Sequence, residues 1–282
     1  MMVDDKAVEV IREQISLIRT ELNYTEEVVR DDIFKLLRKK SKIIFFPLVD
    51  EPDLDGFHTE KYVNGELVAF VYINSAKNFE KNIFCGAHEL GHVYEIEKKI
   101  VDKYPDVSFS TQEIDEVMNR FAAELLMPYD IFVKKFVAIL EHVRENASVL
   151  RNGELLKTIV ALMDYFYVPY KAVVRRLHEI GFLTQTGMQK FERIEDKDKD
   201  IIDAIIYEGK YTRLRHPTMM TSFENLQESL SFAEEYHVIG KSKIRQMRQD
   251  FNIDISISEE MLAEMTEEKI DLEDIAKEYL QT

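Results

Sequence analysis

A single cysteine, Cys85, leaves no partner for an intramolecular disulfide, which excludes the stapled scaffolds of small secreted proteins. No apolar run approaches the ~18 residues that cross a bilayer. The N-terminal stretch Met1-Met-Val-Asp-Asp-Lys-Ala-Val-Glu9 is charged from its start and has no apolar centre of a signal peptide. A cytoplasmic location is therefore expected. Basic residues are in deficit, 37 against 53 acidic ones, for a net charge of −16. That balance argues against direct nucleic-acid binding, which needs a cationic surface. From Asp250 to Thr282, 11 acidic residues stand against only Lys269 and Lys277, and this end reads as a solvated acidic helical tail. What remains, with 45% hydrophobic and 32% charged residues, is a globular protein with a substantial core.

Histidine is also scarce, at seven residues, yet two of them stand four apart in His88-Glu89-Leu90-Gly91-His92. On a helix that spacing points both imidazoles the same way, so both can reach one cation. Glu89 between them is placed to take a proton from water activated by the metal. Zinc is the expected ion. Gly91 suits a close approach of this helix to a neighbouring element.

Around the motif, residues 5–40 carry apolar positions at helical spacing and predict two helices. Ile43-Ile-Phe-Phe-Pro47 predicts a short strand. The segments 57–63 and 66–73 flank Asn64-Gly65, a dipeptide suited to a two-residue hairpin turn. A small antiparallel sheet of about three strands is thus expected before the motif helix, which should run to about Lys99. Thr111 is a plausible N-cap for a helix reaching Met127 and stopped by Pro128. Further helices are expected at about 129–145, 153–166 and 169–180, the last closed by Gly181. The polar and charged stretch 184–203 suggests a boundary between a first domain, residues 1–183, and a mostly helical acidic region, 184–282. The fold class is α+β, with a helical C-terminal extension.

Two histidines do not complete a catalytic zinc site, so a third ligand should come from another segment. On the 111–127 helix, Asn119, Ala122 and Leu126 fall within roughly 40° of Asp115. Asp115 then lies on the edge of the apolar face, where a carboxylate favours pairing or a cation. Glu116 is displaced by about 100° and is held in reserve; Glu124, at about 180°, points away. The bland reading of Asp115 is a carboxylate near a helix N-terminus.

Three segments together resemble the ImmA/IrrE family of zinc-metallopeptidase-like proteins. They are Tyr72-Ile-Asn-Ser75 with Phe84-Cys-Gly-Ala-His-Glu-Leu-Gly-His92, then Asp115 to Pro128, then Tyr165 to Leu177. The resemblance spans roughly residues 20–183. It implies a zincin-like fold, His88 and His92 as zinc ligands, Glu89 as general base, and a third ligand at the position held here by Asp115. The family commonly has glutamate there, one methylene longer, and threonine where this chain has Cys85. Cys85 reads as a buried core thiol.

The resemblance implies a zinc-dependent endopeptidase making site-specific cuts in a protein partner, a helix-turn-helix repressor of a phage or mobile element. The competing reading is a non-proteolytic regulatory or interaction protein on a zincin scaffold. A third possibility, direct DNA binding, rests only on the basic segment Lys241-Ser-Lys-Ile-Arg-Gln-Met-Arg248. No donor for a developing oxyanion is identified; Tyr94 and the tyrosines of 165–170 are the nominees.

Overall fold

The computed structural model describes residues 4–63, 65–144, 150–223, 225–251 and 253. The chain divides into two compact units, Met1–Glu224 and Asn225–Thr282. In the first, helix α1 (Asp5–Glu21) is capped by Asp4 and buries Val10, Ile11, Ile15 and Ile18 at helical spacing. A 3-10 turn (Arg30–Asp32) leads into α2 (Ile33–Arg38). The strands β1 (Ser41–Phe46), β2 (Gly56–Val63) and β3 (Glu66–Asn74) follow.

The sheet is four-stranded and mixed, in the order β2-β3-β1-β4, and not the antiparallel sheet of about three strands expected. β1 runs parallel to β3, Ile43 opposite Val71 and Phe45 opposite Ile73. The physical reason lies in burial. Val71, Ile73, Ile43 and Phe45 are almost inaccessible, and strands with this apolar character pair centrally, which β2 with its exposed outer half cannot do. The hairpin itself forms as predicted: Val63 pairs with Glu66, and Gly65 takes a positive φ of 86°. Its Asn64 lies outside the described residues.

The motif helix α3 (Phe79–Val93) ends earlier than expected. Glu95 adopts a left-handed conformation and starts a separate helix, α4 (Ile96–Lys103). Helix α5 (Thr111–Leu126) is capped by Ser110 rather than Thr111, through a reciprocal capping box with Glu113. Helices α6 (Tyr129–Val143), α7 (Asn152–Phe166) and α8 (Tyr170–Glu179) complete the helical layer, and Gly181 closes α8 with φ of 78°.

Residues 184–223 pack onto this unit rather than standing apart from it. Tyr170 donates to the carbonyl of Phe191 in α9 (Gln185–Lys197), and α10 (Lys199–Glu208) buries Ile202. The following segment crosses the start of α3, where the amide of Phe79 donates to His216 O and Ser75 Oγ donates to Met220 O. It then adds β4 (Ser222–Phe223), antiparallel to β1. The second unit contains α11 (Leu226–Glu235) and α12 (Lys241–Asp250). The acidic end beyond residue 253 lies outside the described residues.

Candidate metal centre

The centre forms where α3 crosses α5. Gly91 allows the crossing, since a Cβ there would meet Met118 Sδ at 2.7 Å and Phe121 Cδ1 at 3.0 Å. Both of those side chains are fully buried and cannot easily yield. The close contact that Gly91 suggested is thus helix against helix, and it brings the first turns of α5 up to the histidines.

His88 and His92 aim their Nε2 atoms at a common point, 3.2 Å apart. Two nitrogens each about 2.05 Å from a tetrahedral zinc ion stand about 3.3 Å apart, so the pair fits that ion. The oxygen of Asn119 lies 3.0 Å from His88 Nδ1, which places the proton on Nδ1 and leaves Nε2 with its lone pair free for a cation. His92 is pushed down to about 4, by burial first and by the neighbouring His88 second. It is therefore neutral at physiological pH, the form that ligates.

Ligand atoms of His88, His92 and Asp115 all lie within 4.8 Å of one another. Asp115 is exposed rather than set on the edge of the buried face. The cost of burying a carboxylate therefore gives no reason to choose it; its proximity does. Glu116 lines the same cleft but belongs to neither of the three-residue groups with metal-binding spacing among the described residues. Glu124 does point away. It is buried in a cage of Arg176, Arg120 and Arg12, each donating to its carboxylate at 2.8 to 3.2 Å. Burial raises its pKa, but the Arg176 hydrogen bonds and charge, with Arg12 and Arg120, outweigh that and hold it at about 2.

His58 escaped the sequence reading. It sits on β2 with Nδ1 3.1 Å from Glu89 Oε2, and its ring stacks on His92. The bond to Glu89 raises its pKa above the usual histidine range. No local signal marks it, because a histidine in an alternating strand resembles any solvent-facing polar residue. Cys85 is a buried thiol, pushed well above its ordinary pKa by burial and then by the charge of Glu89. Its sulfur lies directly under Gly56, where a Cβ would come within 2.6 Å.

The nominated tyrosines do not face the centre. Tyr94 donates to Glu21, Tyr167 to Arg213 O and Tyr170 to Phe191 O, and none lines the cleft. That cleft, about 1310 Å³, runs from Asp53–His58 across α3 and α5 to α8 and α9. No helix among the described residues is long and apolar enough to cross a membrane.

Residues 39–178 match the family described as the IrrE N-terminal-like domain, a peptidase family. No curated protein matches the chain. Among solved structures, a Mycobacterium tuberculosis transcriptional regulator is similar at 17% identity and a TM-score of 0.36, over 62% of this chain and 47% of the other. The chain thus spans about half the length of that structure. The family match takes in β2, β3, the motif helix, α5 and nearly all of α8, the elements that line most of the cleft. Through residues 39–178, the chain belongs to the ImmA/IrrE family.

Proposed function

We propose that this chain is a zinc-dependent endopeptidase that makes a limited cut in a protein partner. The observation that carries the reading is the spacing of His88 and His92 Nε2, 3.2 Å, beside the Asp115 and Glu89 carboxylates in one open cleft. His88, His92 and Asp115 would hold the ion, with Asn119 orienting His88. Bound there, zinc supplies Lewis acidity that polarises a peptide carbonyl and acidifies an attacking water. Glu89 takes the proton from that water and passes it to the leaving amine.

The sheet supports an extended substrate. β2 is an edge strand. Pairing of Val63 with Glu66 across a two-residue turn makes that pair hydrogen-bonded, so Gly56, His58, Glu60 and Tyr62 turn their backbone groups outward. A peptide laid along this edge as a further strand would run beside His58, whose side chain contacts Glu89. Resemblance to the ImmA/IrrE family supports a helix-turn-helix repressor as the partner, and a net charge of −16 suits a basic DNA-binding protein.

The test is Glu89→Gln in the full chain, co-expressed with a candidate helix-turn-helix repressor. Loss of repressor cleavage with zinc content and repressor binding retained supports the peptidase. Cleavage that continues, or a phenotype unchanged by the substitution, favours the non-proteolytic regulator instead.

A further inference from the structure

His58 is the polar group beside Glu89 that the proposed chemistry does not yet use. A carboxylate only accepts, so the 3.1 Å contact to Glu89 Oε2 requires the proton on His58 Nδ1. Ligand atoms of His58, Glu89 and His92 lie within 4.8 Å of one another, a spacing that suggests a second cation site. The ring geometry argues against it. The imidazoles of His58 and His92 are stacked, with centroids 4.6 Å apart and planes inclined by 21°. An imidazole lone pair lies in the plane of its ring. Two nearly parallel planes at that separation do not converge on one ion about 2 Å from each nitrogen.

The same closeness has another consequence. Glu89 is 5% exposed and its carboxylate lies within 4.8 Å of a ring nitrogen of His92. A small swing of that side chain would make it a further protein ligand to an ion held by His88 and His92. A carboxylate bound to the ion has lost the freedom to accept a proton, and a site closed by protein ligands is of the structural rather than the catalytic kind. The opposing pull on Oε2 is the N–H of His58. Its place is set by the sheet, since the hairpin register fixes His58 opposite Val71.

The geometry points to His58 as a positioning residue that holds Glu89 out of the metal's coordination shell and so keeps it a base. This rests on the reading of His88 and His92 as zinc ligands. Asparagine at 58 keeps an N–H donor near the position of Nδ1, whereas leucine or valine removes it.

Zinc affinity of the full chain, measured by competition with a chromophoric chelator, tests the assignment without a substrate. His58→Leu should bind zinc about tenfold more tightly than wild type or better, the size of effect that partners of metal ligands exert. His58→Asn should stay near wild type, and adding Glu89→Gln to His58→Leu should cancel the gain. His58→Val repeats the deletion with a residue suited to strands should leucine perturb the fold. Unchanged or weaker binding in both deletion variants, or a gain that survives Glu89→Gln, overturns the tether while leaving the zinc site standing. A wild-type chain that binds no zinc overturns the site and the tether together.

Discussion

Neutralising Glu124 gives the sharpest test of how the helical layer around the candidate centre is held together. Its carboxylate is 4% exposed and receives two parallel bonds from Arg176, both 2.8 Å, while Arg176 itself is 0% exposed. These contacts join α5 to α8, and the bonds from Arg12 add α1. A carboxyl held at about 2 rather than 4.5 corresponds to about 3 kcal/mol of stabilisation at neutral pH. Removing one partner from a buried ion cluster independently gives about 3–5 kcal/mol. Because the folded pKa lies below the unfolded one, this stabilisation is complete above about 4.5 and is lost as pH falls through about 2. Glu124→Gln should therefore lower unfolding free energy by about 3 kcal/mol at pH 7. The gap to wild type should begin to close below pH 4.5. Urea unfolding followed by circular dichroism at a series of pH values measures both effects. A gap under about 1 kcal/mol at pH 7, or one that stays constant from pH 7 to pH 3, refutes the account of the cage.

Asp115→Ala should abolish tight zinc retention while Glu116→Ala leaves it in place, as read by metal content after dialysis; the reverse pattern would move the third ligand by one residue. Asn119→Leu should weaken zinc binding by about 10–100-fold through loss of the His88 tautomer, with the fold intact by circular dichroism. Equal affinity in the variant would remove Asn119 from the centre. Gly91→Ala should cost about 1–3 kcal/mol by forcing Met118 and Phe121 aside, and should weaken zinc binding as α5 is displaced. A variant with unchanged melting temperature and unchanged affinity would show that the helix crossing has slack.

Helical periodicity places His88, Glu89 and His92 from sequence because their relation is local: four residues along one helix are just over one turn. The same argument selects Asp115 over Glu124 on α5. The hairpin was equally legible, since Gly65 and the alternation of its strands carry their own turn chemistry. The break of α3 at Glu95 left no such mark. Neither glycine nor proline stands there, and Glu95 takes its left-handed φ of 51° with no such residue type to announce it.

The sequence by itself therefore determined the helices, the hairpin and the pair of histidines, because each depends on forces within a few residues. Only the tertiary structure decided that β1 lies parallel to β3, that residues 184–223 belong to the first unit, and that His58 meets Glu89. The contact between His58 and Glu89 spans 31 positions of chain. It exists because a strand and a helix are packed face to face, and the identity of neither residue encodes the other.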